Sequence, residues 1–142
     1  MDNLLLPNSE FRLHHIGYAT RDTDRSIEAF KPLFDSVEHY RVLESSQGVW
    51  FTYLGSSLSG SRVELVEPAT ESSAVDGVLG NNELVPYHLC FEVSDFSIAA
   101  SILRQHGFVP AAKAFTPGFD DTIVLRHFYS VYGGIVEILG KR

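Results

Sequence analysis

The chain repeats itself weakly after 73 residues, and this repeat restricts its fold more than any other feature. Sliding the sequence by that amount brings His15 onto His88, Asp22 onto Asp95 and Phe30 onto Leu103. It also brings Val63-Glu64-Leu65 onto Val136-Glu137-Ile138. Self-similarity of this kind marks two copies of one supersecondary unit. The elements around the matched positions are alike: each half reads strand, helix, strand, strand, strand.

In the first half, Phe11 to Thr20 predicts a strand and Asp22 or Thr23 a helix N-cap. Ile27, Phe30, Leu33 and Phe34 give that helix an apolar face, which Pro32 kinks or shortens. Val37–Leu43, Val49–Leu54 and Arg62–Glu67 predict three further strands, the last stopped by Pro68. In the second half, Val85–Val93 predicts a strand, Asp95 a cap, and Ile98, Ile102 and Leu103 a helical stripe ended by Gly107. Phe108–Ala112, Thr122–Tyr129 and Ile135–Leu139 complete the set. The expected organisation is an α+β domain with a first module over 11–68, a linker with one short helix over 69–83, and a second module over 84–140.

Side chains alternate across a strand. His15 therefore shares a face with Gly17 and Ala19, and His88 shares one with Cys90. Ile16, Tyr18, Leu89 and Phe91 are expected to point the other way, under the helices. Both histidines thus sit beside small residues that leave room. Glu64 and Glu137 each lie between two aliphatic residues, where a carboxylate is costly unless paired or metal-bound. Taken singly, each of the four has an ordinary structural explanation. Taken as two pairs in matching register, they define one shared site. Two imidazoles and two carboxylates suit one divalent ion, Zn, Co, Ni, Mn or Fe. On a six-coordinate ion they leave two positions open, an arrangement suited to catalysis.

Composition closes off other classes. The formal net charge is −7 and no lysine or arginine run exists, so a nucleic-acid partner is not expected. No apolar stretch approaches a bilayer span, and the first residues lack the basic start of a signal peptide. The single cysteine, Cys90, permits no internal disulfide. These features together lead us to expect a cytoplasmic protein without a membrane partner.

The segments Leu13-His14-His15-Ile16-Gly17-Tyr18-Ala19, Val63-Glu64-Leu65-Val66-Glu67-Pro68, Tyr87-His88-Leu89-Cys90-Phe91-Glu92-Val93 and Gly133-Gly134-Ile135-Val136-Glu137-Ile138 resemble the vicinal oxygen chelate superfamily. The resemblance spans about residues 11–140. It implies paired βαβββ modules whose curved mixed sheet forms a cup around a metal, with ligands His15, Glu64, His88 and Glu137. The two halves would pair within one chain or across a homodimer. Glu44-Ser45-Ser46-Gln47-Gly48-Val49, Glu67-Pro68 and the 24-residue gap from Glu64 to His88 are similar to the methylmalonyl-CoA epimerase branch. That branch implies an isomerase that removes a proton next to a carbonyl, on an acyl thioester or a related small molecule. Glu137 is then the first choice of base and Glu64 the second. Alternative readings are a glyoxalase I-type lyase and a non-enzymatic protein that sequesters a natural product or drug.

Three loops depart from that branch. Ser72-Ser73-Ala74-Val75, Phe115–Asp121 and Tyr129-Ser130-Val131-Tyr132 differ from its pattern and bear on the substrate end of the cup. Trp50, Phe51, Tyr53, Phe119, Tyr129 and Tyr132 are candidate cup aromatics. His14 and Glu67 neighbour the ligand strands but are expected to stand outside the site. Arg126 and Lys113 are expected to be solvated.

Overall fold

The computed structural model describes residues 10–131 and 133–142. The first run of elements is β1 (Phe11–Thr20), α1 (Thr23–Phe30), β2 (Ser36–Glu44), β3 (Val49–Gly55) and β4 (Arg62–Pro68). A short helix α2 (Ala74–Leu79) leads to β5 (Leu84–Val93), α3 (Phe96–Gln105), β6 (Val109–Pro110), β7 (Ile123–Tyr129) and β8 (Ile135–Lys141). The strands form one mixed sheet of eight, in the order β2-β3-β4-β1-β5-β8-β7-β6. β1 and β5 run antiparallel at its centre, and each is flanked by a parallel partner, β4 and β8. The arrangement is α+β, as the sequence predicts.

Local chemistry sets the helix ends. Asp22 and Asp95 occupy equivalent N-cap positions, and each carboxylate accepts from the backbone N–H three residues on, Arg25 and Ile98. α1 ends at Phe30, short of Pro32, whose ring and missing N–H bar another helical turn. Gly107, at φ +85°, follows the C-cap of α3 in the left-handed conformation that glycine adopts without strain.

Three apolar clusters hold the layers. Ile27 and Phe30 of α1 pack with Tyr18, Leu54, Val63 and Leu65. α3 packs Ala99, Ala100 and Leu103 against Phe128 and Ile138. α2 buries Val75 and Leu79 against Ala19, Val49 and Val66, so this part of the 69–83 segment belongs to the core. The expectation that Ile16 and Leu89 lie under a helix is not met. They are 36% and 41% exposed, since α1 covers the β4 side of the sheet centre and α3 the β8 side. Tyr18 alone of that set reaches α1. No helix among the described residues is long and apolar enough to cross a membrane.

Candidate metal centre and active site

The sheet brings His15 (β1), Glu64 (β4), His88 (β5) and Glu137 (β8) together from its four central strands. The His15 and His88 Nε2 atoms are 2.9 Å apart. Glu64 Oε2 lies 3.4 Å from His15 Nε2, and its Oε1 lies 3.8 Å from His88 Nε2. Glu137 Oε1 lies 3.8 Å from His15 Nε2. His15, His88 and Glu137 are buried and Glu64 is partly so, the side chains of Glu64 and Glu137 retaining 13% and 7% exposure. The four residues expected from the repeat therefore form one cluster.

Backbone geometry makes room for it. Gly17 and His88 are direct partners across the β1–β5 ladder. A Cβ on Gly17 would stand 2.0 Å from Cε1 of the His88 ring, so the imidazole occupies the space that any other residue would fill. Nδ1 of His88 has no hydrogen-bond partner, leaving Nε2 as the ring's polar contact.

The donor set fits a divalent cation. Cis nitrogens bound at about 2.0–2.1 Å stand about 2.9 Å apart, matching the separation of the two Nε2 atoms. Burial pushes the His15 pKa down to about 4 and also lowers that of His88, so both rings are neutral at pH 7, as ligands must be. Glu64 is pushed the other way. Burial and the neighbouring Glu137 raise its pKa, against the opposing influence of His88 and a hydrogen bond from Tyr53. No lysine or arginine pairs with it among the described residues, so a cation here would relieve the strain of two buried carboxylates. His15, His88 and Glu137 place one donor atom each within 4.8 Å of one another.

Two residues outside the expected set enter the site because the β1–β5 ladder carries two irregularities. Leu13 pairs with Phe91 and His15 with Cys90, so His14 is an extra residue on β1. This bulge breaks the alternation and turns His14 toward His15, with their Nδ1 atoms 2.8 Å apart. His14 is therefore a partner of a site residue, contrary to expectation. It holds Nδ1 of His15 and leaves Nε2 facing the cluster. Likewise Gly17 pairs with His88 and Tyr18 with Pro86, which makes Tyr87 the extra residue on β5. Tyr87 consequently lines the same cavity as Glu64 and Glu137. Glu67 stays outside and accepts hydrogen bonds from Thr23 at the start of α1. Arg126 donates to the Ala112 carbonyl, and Lys113 is exposed.

The cavity beside the cluster holds about 30 Å³, room for an ion with a water or two. Phe51, Tyr53 and Phe119 line it, Phe119 packing on Phe51 with ring centroids 4.6 Å apart. Trp50 instead lies under the Arg41 guanidinium, Tyr129 is 53% exposed, and Tyr132 lies outside the described residues.

Two further residues were missed by sequence reasoning. Glu44, at the end of β2, is buried and faces the same cavity as Glu64 and Glu137. Its carboxylate accepts from the Gly118 backbone N–H at 2.8 Å and from Ser46. His127 of β7 pairs directly with Glu137 across the ladder, its Nε2 standing 2.6 Å from Glu137 Oε2. Burial opposes protonation of His127, but the hydrogen bond to Glu137 and the negative charges of Glu137 and Glu64 together raise its pKa. Neither residue falls in the internal repeat, and that was the only signal strong enough to select site residues.

Comparison with known proteins agrees with this architecture. The methylmalonyl-CoA epimerase of Mycobacterium tuberculosis superimposes with a TM-score of 0.77 over 98% of this chain and 94% of its own, at 21% identity. A methylmalonyl-CoA epimerase in complex with methylmalonyl-CoA and NH4+ superimposes with a TM-score of 0.72, over 94% and 96% of the two chains, at 25% identity. The mitochondrial methylmalonyl-CoA epimerase of Dictyostelium discoideum is 26% identical over 134 residues, 92% of this chain and 78% of its own. Residues 14–125 match the family model, and with its eight-stranded sheet and paired strand-helix-strand-strand-strand runs the chain belongs to the Glyoxalase/Bleomycin resistance protein/Dioxygenase superfamily.

Proposed function

We propose that this protein is a divalent-metal-dependent epimerase that moves a proton at the carbon next to a thioester carbonyl, with methylmalonyl-CoA or a close acyl-CoA as substrate. The convergence of His15, Glu64, His88 and Glu137, with the two Nε2 atoms 2.9 Å apart, carries the reading. Its likeness to methylmalonyl-CoA epimerases supports the substrate class. The lone, buried Cys90 suits a reducing compartment such as the cytoplasm.

The four side chains would hold the ion, which when bound supplies Lewis acidity for a carbonyl oxygen as negative charge develops there. Glu137 takes the proton from the α-carbon. The C–H electron pair passes into the carbonyl, giving an enolate, and return of a proton to the opposite face inverts the centre. That second face needs its own acid. Two further carboxylates reach the cavity: Glu64 and, from the β2 end of the sheet, Glu44. The apolar wall of Phe51 and Leu125 keeps water from the enolate. A cavity of about 30 Å³ does not admit an acyl chain, so substrate entry requires its lining, which includes Pro117 and Phe119, to open.

The test is proton exchange. In deuterated buffer, the metal-loaded protein should exchange the α-proton of methylmalonyl-CoA and interconvert its epimers. Exchange that instead depends on glutathione and its hemithioacetals would move the reading to a lyase. Tight ligand binding without any exchange would move it to a sequestering protein.

A further inference from the structure

We infer that His127 is a positioning residue for Glu137, an inference that rests on the metal-dependent reading above. β7 and β8 are antiparallel neighbours, and His127 and Glu137 are directly opposed in that ladder. The pairing brings His127 Nε2–H to 2.6 Å from Glu137 Oε2. The other oxygen of the same carboxylate, Oε1, faces His15 Nε2 at 3.8 Å. The two oxygens are therefore divided: one is held by β7 and the other is offered to the cluster.

The His127 ring is itself confined. It packs 6.3 Å from the His88 ring on one side and 5.9 Å from Phe115 on the other, and its side chain is 20% exposed. Phe115 is in turn pinned by paired backbone hydrogen bonds to Leu125. Without a donor at this point, Glu137 would keep only the weaker thiol contact with Cys90, its partner on β5, and would be freer to turn about its side-chain bonds. With it, Oε2 is held by His127 and Oε1 is the oxygen left facing the cluster, where it would be available to an ion. Outer partners of this kind commonly matter to a metal site almost as much as the ligands do.

Two polar substitutions separate this role from simple packing. The Gln amide reaches the place of Nε2, whereas the Asn amide stops near Nδ1. Co2+ is titrated calorimetrically into metal-free wild type, His127→Gln and His127→Asn, with kcat and KM for α-proton exchange measured alongside. His127→Asn should weaken Co2+ binding by about 10–100-fold and lower kcat more than it raises KM. His127→Gln should recover most of both. A melting temperature measured for each variant reports folding separately. If His127→Asn binds Co2+ as tightly as wild type, or both variants weaken alike, the positioning role is wrong while the metal reading stands. If wild type itself takes up no Co2+, the metal reading fails and this inference fails with it.

Discussion

Glu137→Gln should leave the fold intact and slow α-proton exchange by about 10²–10⁴-fold, the usual contribution of a positioned general base. The amide has almost the shape of the carboxylate, and its oxygen can still accept from His127 Nε2–H, now 2.6 Å from Glu137 Oε2. What disappears is the proton affinity, together with one anionic oxygen of the proposed ligand set. In the wild type, burial alone would raise the Glu137 pKa, but the hydrogen bond from His127, with the surrounding imidazoles, pulls it below the ordinary value. The group is thus kept ionised and ready to accept, at the expense of basicity. Exchange followed by loss of the α-proton signal, together with thermal melting, measures both parts of the prediction. A variant that melts like wild type and exchanges at the full rate would remove Glu137 from the chemistry.

Gly17→Ala should damage the site as severely from a residue that bears no side chain. The new methyl would stand 2.0, 2.2 and 2.5 Å from three atoms of the His88 ring, distances that no packed structure tolerates. Either the imidazole swings away or the β1 and β5 backbones part. Overpacking of this kind costs about 1–3 kcal/mol of stability. Displacing the ring of a proposed ligand should weaken metal binding by at least the 10–100-fold typical of losing an outer partner. Denaturant unfolding and Co2+ titration read the two effects independently. An alanine variant that binds the ion normally would mean that the cradle under His88 is not required.

The repeat made the four central residues legible because the strands that carry them, β4, β1, β5 and β8, lie side by side at the sheet centre. Period-2 alternation put His15 on one face with Gly17 and His88 on one face with Cys90; that the His88 ring fills the space at Gly17 follows from the β1–β5 register, which alternation does not give. The same rule failed at His14 and Tyr87, and for one reason: each is the extra residue of a bulge, which re-aims one side chain and is invisible to a strict alternation. Glu44 and His127 escaped for a different reason. The Gly118 N–H that anchors Glu44 lies 74 residues further along the chain, and the His127–Glu137 pairing depends on strand register that local pattern does not specify. The exposure of Ile16 and Leu89 belongs to the same class, since helix placement over a sheet is decided by packing between distant segments.

The most direct test of the central claim is elemental analysis of gently purified protein, wild type against His88→Ala. The account predicts about one equivalent of a single divalent metal per chain in wild type and its loss in the variant. Absence of metal from wild type, even after reconstitution, would contradict it, as would full retention of the ion by His88→Ala.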